Sequence, residues 1–337
     1  MAAVGDSIAV LGAGSWGTAL AVELAARHRV MLWGHTPSEV DAMRAHRENR
    51  HYLPGVSFPE KLDVTLELDE AIGEASEILV VVPSHAFASV CKQLATLRPD
   101  LESLSWASKG FDPSSRRLLS QVAHELLPNA DLAVISGPSF GREVAQKVPT
   151  VVTAASSDAA VAVFVQNVFV TPFFRVYTND DMMGVELGGA VKNVIAIASG
   201  IIDGLNLGLN TRAALITRGL TEMRRLGVRL GANPHTFSGL AGMGDLILTC
   251  TGSLSRNHTV GKLIGEGKKL HDILADMKMV AEGVRTAKSV RNLSMRVNVD
   301  MPISHAVYAV LYEDLPPKEA VFQLMTRDLK DELEDIR

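Results

Sequence analysis

A lysine set in an apolar helix is the residue to weigh first. A desolvated ammonium both transfers a proton and steadies negative charge on an oxygen. Lys192 stands in a helical stretch, residues 184–204, among Gly188, Gly189, Ala196 and Ser199, with no acid three or four residues C-terminal to it. Burial there moves a lysine pKa from ~10.4 toward ~7–8, the range suited to exchanging a proton with a carbonyl or carbinol oxygen. The same helix also allows the stem to snorkel and leave the ammonium at the surface. Lys109, in Ser105-Trp106-Ala107-Ser108-Lys109-Gly110, falls just past a strand end, on the face where open α/β sheets bind ligands; it reads equally as a solvated loop lysine. Ser255-Arg256-Asn257 precedes Val260, Leu263 and Ile264, a short helical pattern. A helix start with an arginine fork is an anion site, or a plain N-cap with a surface arginine.

A second constellation lies near the N-terminus. Gly12-Ala13-Gly14-Ser15-Trp16-Gly17 has the spacing G-x-G-x-x-G, and it closes a predicted strand and opens a predicted helix. Gly12 permits the tight turn, Gly14 lets backbone approach a pyrophosphate, and Gly17 lets helix pack on strand, with the diphosphate over the first N–H groups of the helix. After the second strand a carboxylate would bond the ribose 2′-OH of NAD. This chain has Gly34-His35-Thr36 there, with the first acid at Glu39. His35 and Thr36 can bond either a hydroxyl or a phosphate, so the expected cofactor is NADP or NAD, with NADPH accepted.

The elements that must position these groups follow from periodicity. Residues 7–12, 29–33, 77–82, 104–107 and 132–135 read as short apolar strands separated by helical patterns, and 151–154 and 173–177 as further strands. Strand, crossover helix and strand in repetition predicts a doubly wound parallel sheet. After about residue 180 helical spacing takes over: Leu187, Ala190, Val191, Val194, Ile195, Ala198, Ile201 and Ile202 recur at i, i+3, i+4 and i+7. The polar stretch 178–184 marks the boundary, giving a dinucleotide-binding domain over 1–180 and a helical substrate domain over 181–337.

Composition narrows the function classes. The chain has 337 residues, 47% hydrophobic and 21% charged, with a net charge of −5 and no basic block, so no nucleic-acid partner is expected. Its two cysteines, Cys91 and Cys250, stand far apart, which disfavours a disulfide framework and a zinc site and suits a reducing compartment. The first residues lack a basic region followed by an apolar one, so no signal peptide is expected. No membrane insertion is expected either, since Lys192 and Asp203 interrupt the most apolar helical stretch and Pro83 and Ser84 another. No metal-ligand cluster stands out, and His85, His124, His235, His258 and His305 read as ordinary polar residues.

Six segments together resemble the bacterial-type NAD(P)-dependent glycerol-3-phosphate dehydrogenase family across nearly the whole chain: GAGSWGTALA (12–21), SKGF (108–111), SGPSFGREV (136–144), ELGGAVKNVIAIASGIIDGL (186–205), GLAGMGDLILTCTGSLSRN (239–257) and VAEGVRTA (280–287). The 6-phosphogluconate and hydroxyisobutyrate dehydrogenases share the Rossmann start and an essential helical lysine, without the GPSF and GDL…SRN segments. The resemblance implies a Rossmann domain followed by an all-α domain like the C-terminal one of 6-phosphogluconate dehydrogenases. It implies a cytoplasmic enzyme that interconverts dihydroxyacetone phosphate and sn-glycerol 3-phosphate for phospholipid synthesis, and it is compatible with a homodimer.

By position, the resemblance makes Lys192 the proton acceptor in oxidation and the donor in reduction. Lys109 would touch substrate and cofactor, Gly137 and Ser139 would line the substrate site, and Asp245 would bind substrate and help hold Lys192 charged. Ser255, Arg256 and Asn257 would receive the phosphate, with Arg256 also near the cofactor. Ser15, Trp16, His35, Gly141, Val280 and Glu282 fall at cofactor positions, and Asn193 and Thr249 are further members. Gly141 stands where the family usually has alanine. A related hydroxyacid dehydrogenase and a nucleotide-binding sensor are the competing readings. The phosphate site argues against the first, and the intact set of Lys109, Lys192 and Asp245 against the second.

Overall fold

The structure is a computed structural model that describes residues 7–277, 280–329 and 331–332. The reading of residues 1–6 as free of a leader lies outside the described residues. The chain divides into two compact units: residues up to 108 together with 119–182, and residues 109–118 together with 183 onward. The excursion 109–118 thus belongs to the helical unit although both of its flanks belong to the sheet.

The first unit is built on an eight-stranded sheet in the order β3-β2-β1-β4-β5-β6-β7-β8. The strands are β1 (Ser7–Leu11), β2 (Arg29–Trp33), β3 (Leu62–Thr65), β4 (Glu77–Val80), β5 (Ser103–Trp106), β6 (Asp131–Ser136), β7 (Thr150–Ala155) and β8 (Phe174–Asn179). β1 pairs in parallel with both β2 and β4, Ala9 lying opposite Met31 on one side and Ile78 on the other. Ile8, Ala9, Val10 and Leu11 are all fully buried, which is why this strand is apolar without alternation. Helices α1 (Ser15–Leu24), α2 (Pro37–His46), α3 (Leu68–Gly73), α4 (Ser84–Leu97), α5 (Leu119–Leu126), α6 (Gly141–Ala145) and α7 (Ala159–Phe169) complete the unit.

Two details depart from the sequence reading. Strand β3, LDVT, carries an acid at Asp63 within four residues, too short and too mixed a run to register as a strand, yet it pairs with β2 along its length. The pairing of β6 with β7 is antiparallel, so the sheet is parallel only in part. The segment between these two strands carries only the short helix α6.

The second unit is helical: α8 (Met182–Gly204), α9 (Gly208–Leu230), α10 (Asp245–Thr251), α11 (Arg256–Gly265), α12 (Leu270–Asp276), α13 (Glu282–Arg296), α14 (Pro302–Tyr312) and α15 (Pro317–Met325), with a 3₁₀ turn Pro234–Ser238 and a π turn Leu240–Gly244 before α10. Helix α8 is long and apolar enough to cross a membrane by length and composition, and it is instead the core element of this unit, buried from Gly184 to Ile202. Glycines let α11 lie against it. A Cβ at Gly200 would fall 2.0 Å from His258 O, and one at Gly261 would fall 2.0 Å from Ile197 O, so only glycine permits this approach. The start of α11 is thereby brought toward the middle of α8.

Helix α14 begins with Met301, which supplies no side-chain cap, and Pro302. Its cap comes from Glu222 on α9, whose carboxyl accepts Ile303 N at 2.6 Å, Ser304 N at 3.0 Å and Ser304 Oγ at 2.8 Å. Burial pushes the Glu222 pKa up to about 7, against the lowering effect of the Ile303 and Ser304 hydrogen bonds. Glu222→Ala is expected to cost about 2–3 kcal/mol by leaving buried donors without an acceptor, read as a lower urea midpoint at unchanged slope. Because the folded-state pKa is raised, this carboxyl's contribution is full below about pH 4.5 and is lost as pH rises through about 7.

Candidate active site

In the first unit the fingerprint turn has the shape its glycines require. Gly12 sits at φ +125°, and a Cβ there would meet Val81 C and O at 2.9 Å. A Cβ at Gly17 would fall 1.8 Å from Gly12 O, so helix α1 can start on the turn only without a side chain. At Gly14 nothing lies within 4 Å of the added atom, and the first turn of α1 holds no acid. Open space over the unpaired N–H groups of Ser15 and Trp16, with no opposing carboxylate, fits a dinucleotide diphosphate.

The turn after β6 leans on the same helix start. Gly137 has φ +148°, and Ser139 Oγ donates to Gly137 O at 3.1 Å. A Cβ at Gly141 would sit 3.0 Å from Ser15 O, so glycine avoids a tight contact there. His35 is exposed at the end of β2, its ring 6.4 Å from that of Trp33. A cavity of about 660 Å³ that includes Glu77, Ser103 and Asp131 opens at the N-terminal ends of β4, β5 and β6, the wrong strand ends for a ligand site in such a sheet.

The second unit gathers the charged groups. Asp245 opens α10 directly after the π turn, and α8 presses against that turn, since a Cβ at Gly188 would lie 2.5 Å from Ala241 O. Lys192, 53 residues away in sequence, donates from Nζ to Asp245 Oδ1 and, at 2.9 Å, to Thr249 Oγ1. Lys109 Nζ donates to Asp245 Oδ2 at 2.7 Å. Thr249 Oγ1 donates to Asp245 O at 2.6 Å, which leaves its lone pairs toward the lysine. One carboxylate therefore holds two lysines, one through each oxygen.

Burial decides how this cluster behaves. The side chains of Asp245, Lys192 and Lys109 are 1%, 7% and 18% exposed. Desolvation pushes the Lys192 pKa down to about 7, Asp245 opposing the shift and the charge of Lys109 adding to it. Snorkelling is ruled out, because the ammonium ends in the core of the unit with a carboxylate and a hydroxyl as partners. The amine so placed changes protonation state near neutrality, as a general acid and base must.

The start of α11 lies beside this cluster in the fold. Ser255 caps the helix, its Oγ accepting His258 N at 3.3 Å, and Arg256 is exposed at the first helical position with Glu282 in electrostatic reach. Asn257 is engaged on both sides: Nδ2 donates to Asn193 Oδ1 at 2.9 Å, and Oδ1 accepts Gly283 N at 2.9 Å. Asn193 adjoins Lys192, so one hydrogen-bonded chain ties α8, α11 and α13 together. That leaves the backbone N–H and the second Nδ2 hydrogen of Asn257 for an anion.

The structure thus brings Lys109, Lys192, Asp245 and Thr249 together and sets Ser255, Arg256 and Asn257 at one helix start. Val280 and Glu282 lie at the entry to α13 in the same unit. Ser15, Trp16, His35, Gly137, Ser139 and Gly141 belong to the first unit. Sequence reasoning missed the side-chain use of Asn257 and the bonding of Thr249 to Lys192. The only signal for the latter was Thr249 standing four residues, one helical turn, after Asp245.

Known proteins match the chain over nearly its whole length. The family model described as NAD-dependent glycerol-3-phosphate dehydrogenase N-terminus matches residues 7–162, and the one described as its C-terminus matches residues 181–322. A glycerol-3-phosphate dehydrogenase [NAD(P)+] of Geobacter metallireducens is 54% identical over 333 residues, covering 98% of this chain and 99% of the relative. One from Xanthomonas campestris pv. campestris is 50% identical over 97% of this chain and 96% of its own. The crystal structure of the Coxiella burnetii glycerol-3-phosphate dehydrogenase superposes with a TM-score of 0.92 at 43% identity, covering 96% of this chain and 99% of that one. A ketopantoate reductase of Ralstonia eutropha, 15% identical with a TM-score of 0.58, shares the fold alone. On the buried lysine cluster, the fingerprint turn and these matches, the chain belongs to the NAD-dependent glycerol-3-phosphate dehydrogenase family.

Proposed function

We propose that this protein is an oxidoreductase that interconverts dihydroxyacetone phosphate and sn-glycerol 3-phosphate with NAD(P)(H). The observation that carries the reading is the Lys109–Asp245–Lys192 cluster, with its depressed lysine pKa, beside the cationic start of α11. Bound over the start of α1, NAD(P)H supplies the hydride. Lys192 gives its proton to the carbonyl oxygen in reduction and takes it back in oxidation. Asp245 fixes both ammonium groups and Thr249 orients the reacting one. Lys109 adds positive charge near the developing alkoxide, which in a dry site is worth more than in water.

Arg256, the N–H groups at the start of α11 and Ser255 take the dianionic phosphate. Holding the non-reacting end of so small a molecule orients its carbonyl and so lowers the barrier at the other end. Asn257 acts at the same place. Gly137 and Ser139 are assigned to the substrate, and Ser15, Trp16, His35, Gly141, Val280, Glu282, Lys109 and Arg256 to the cofactor. Residues 1–180 form the dinucleotide domain and 181–337 the substrate domain, the latter borrowing the loop that carries Lys109. The reading places the enzyme in the cytoplasm, without membrane insertion, as a homodimer supplying glycerol 3-phosphate to phospholipid synthesis.

Loss of NADPH absorbance on adding dihydroxyacetone phosphate to the purified protein tests the reading, repeated with NADH and with unphosphorylated dihydroxyacetone. Turnover with the phosphorylated ketone and a far lower kcat/KM with the bare one is expected. Equal rates would move the assignment to a related hydroxyacid dehydrogenase.

A further inference from the structure

We propose that Tyr52 and Glu39 form a pair that sets the choice between NADPH and NADH, Tyr52 holding the Glu39 carboxyl so that the turn after β2 tolerates a 2′-phosphate. The inference rests on the reading that the fingerprint turn binds NAD(P). In folds of this kind the ribose 2′ substituent lies at the end of β2, where a carboxylate favours the hydroxyl and a cationic fork favours the phosphate.

This turn, Gly34-His35-Thr36, abuts the fingerprint directly. A Cβ at Gly34 would meet Ala13 Cβ at 3.3 Å and Val40 Cγ2 at 3.0 Å. The segment that carries Tyr52 is fastened to the same place: Asn49 Nδ2 donates to Ala13 O and to Thr18 Oγ1, each at 2.8 Å, and Asn49 Oδ1 accepts Tyr52 N at 3.1 Å. From that anchor Tyr52 Oη donates to Glu39 Oε1 at 3.3 Å, both residues being half-buried. Glu39 stands in the first turn of α2 and is the first acid after β2.

The nearby cations are committed elsewhere. Arg44 Nε bonds Val64 O at 2.8 Å, Arg47 pairs with Asp63 at 3.1 Å and bonds Pro59 O at 2.6 Å, and Arg50 faces Glu48 at 3.5 Å. A 2′-phosphate at this turn would therefore be met chiefly by His35, the hydroxyls of Thr36 and Ser38, and the start of α2. With so little positive charge in place, the direction in which the Glu39 carboxyl points decides the balance. Tyr52 holds that carboxyl through Oε1 and so sets its direction.

The test is equilibrium titration of the full-length protein with NADPH and with NADH, followed by nicotinamide fluorescence. Wild type, Tyr52→Phe, Glu39→Gln and the double variant are compared, with melting temperatures as the folding control. Tyr52→Phe is expected to move the ratio of the two Kd values about tenfold toward NADH, equivalent to ~1.4 kcal/mol. The double variant is expected to return to the Glu39→Gln ratio. Glu39→Lys, which leaves Tyr52 in place, supplies the second reading should Tyr52→Phe fold poorly, and is expected to shift the ratio toward NADPH. A Tyr52→Phe ratio within about twofold of wild type, a shift that persists in the double variant, or an unmoved ratio in Glu39→Lys overturns the pair. A wild-type protein that binds neither nucleotide overturns the fingerprint reading itself, and the pair with it.

Discussion

Lys192→Ala is expected to lower kcat for dihydroxyacetone phosphate reduction by roughly a thousand- to a hundred-thousand-fold, about 4–7 kcal/mol, while NADPH binding stays close to wild type. The size follows from two losses at one atom. The proton donor goes, and so does a positive charge held inside the protein rather than in solvent, the Lys192 side chain being 7% exposed. Asp245 keeps its bond to Lys109, so the cluster is not left as a bare buried carboxylate. Single-turnover rates and fluorescence titration of NADPH separate the two expectations. Turnover within about tenfold of wild type would remove Lys192 from the chemistry.

The second large effect is expected at the phosphate end. Arg256→Ala should lower kcat/KM for dihydroxyacetone phosphate by about 2–4 kcal/mol, the cost of leaving a dianion without a charged partner. For unphosphorylated dihydroxyacetone the change should be small, since there is no phosphate for Arg256 to meet. Folding stability should barely move, because Arg256 is exposed and the α11 cap is supplied by Ser255. Steady-state kinetics with the two ketones and a urea melt give the three readings. A loss shared equally by both substrates would show that Arg256 acts other than through the phosphate.

Much of this was legible in the residues. The glycine turn was readable through its spacing, and at Gly17 the steric demand is local, set by Gly12 O within the same turn; the close approach at Gly12 is to Val81, far along the chain. The buried strands β1 and β4 were readable because burial on both faces leaves runs without polar alternation, residues 8–11 and 78–80. Lys192 could be found as an unusual residue in an apolar helix, yet periodicity could not say whether its ammonium reached water. That was decided by Asp245 and Thr249, 53 and 57 residues further on, and a local pattern carries no information at such range.

The same limit hid the rest. Strand β3 owes its existence to β2 rather than to its own four residues. Lys109 sits at the end of a sheet strand in the sequence and in the helical unit in space, because Phe111 and Leu118 bury themselves in that unit's core. Glu222 looks like any helix-surface acid until α14 presents its unpaired N–H groups to it. Asn257 was expected at the phosphate, but its side chain also braces α8 and α13, a use set by Asn193 and Gly283.

The central claim is that Lys192 exchanges the proton, and the pH dependence of glycerol 3-phosphate oxidation tests it most directly. Desolvation has brought the Lys192 pKa down to about 7, and only the neutral amine can accept a proton. With chemistry made rate-limiting, as judged by a full deuterium isotope effect at the carbinol carbon, log kcat should rise with pH through about 7 and level off above it, and the reverse reaction should fall over the same range. Lys192→Ala should abolish that inflection in whatever residual rate remains. A flat wild-type profile from about pH 6 to about pH 10, or an inflection that survives the substitution, would contradict the account.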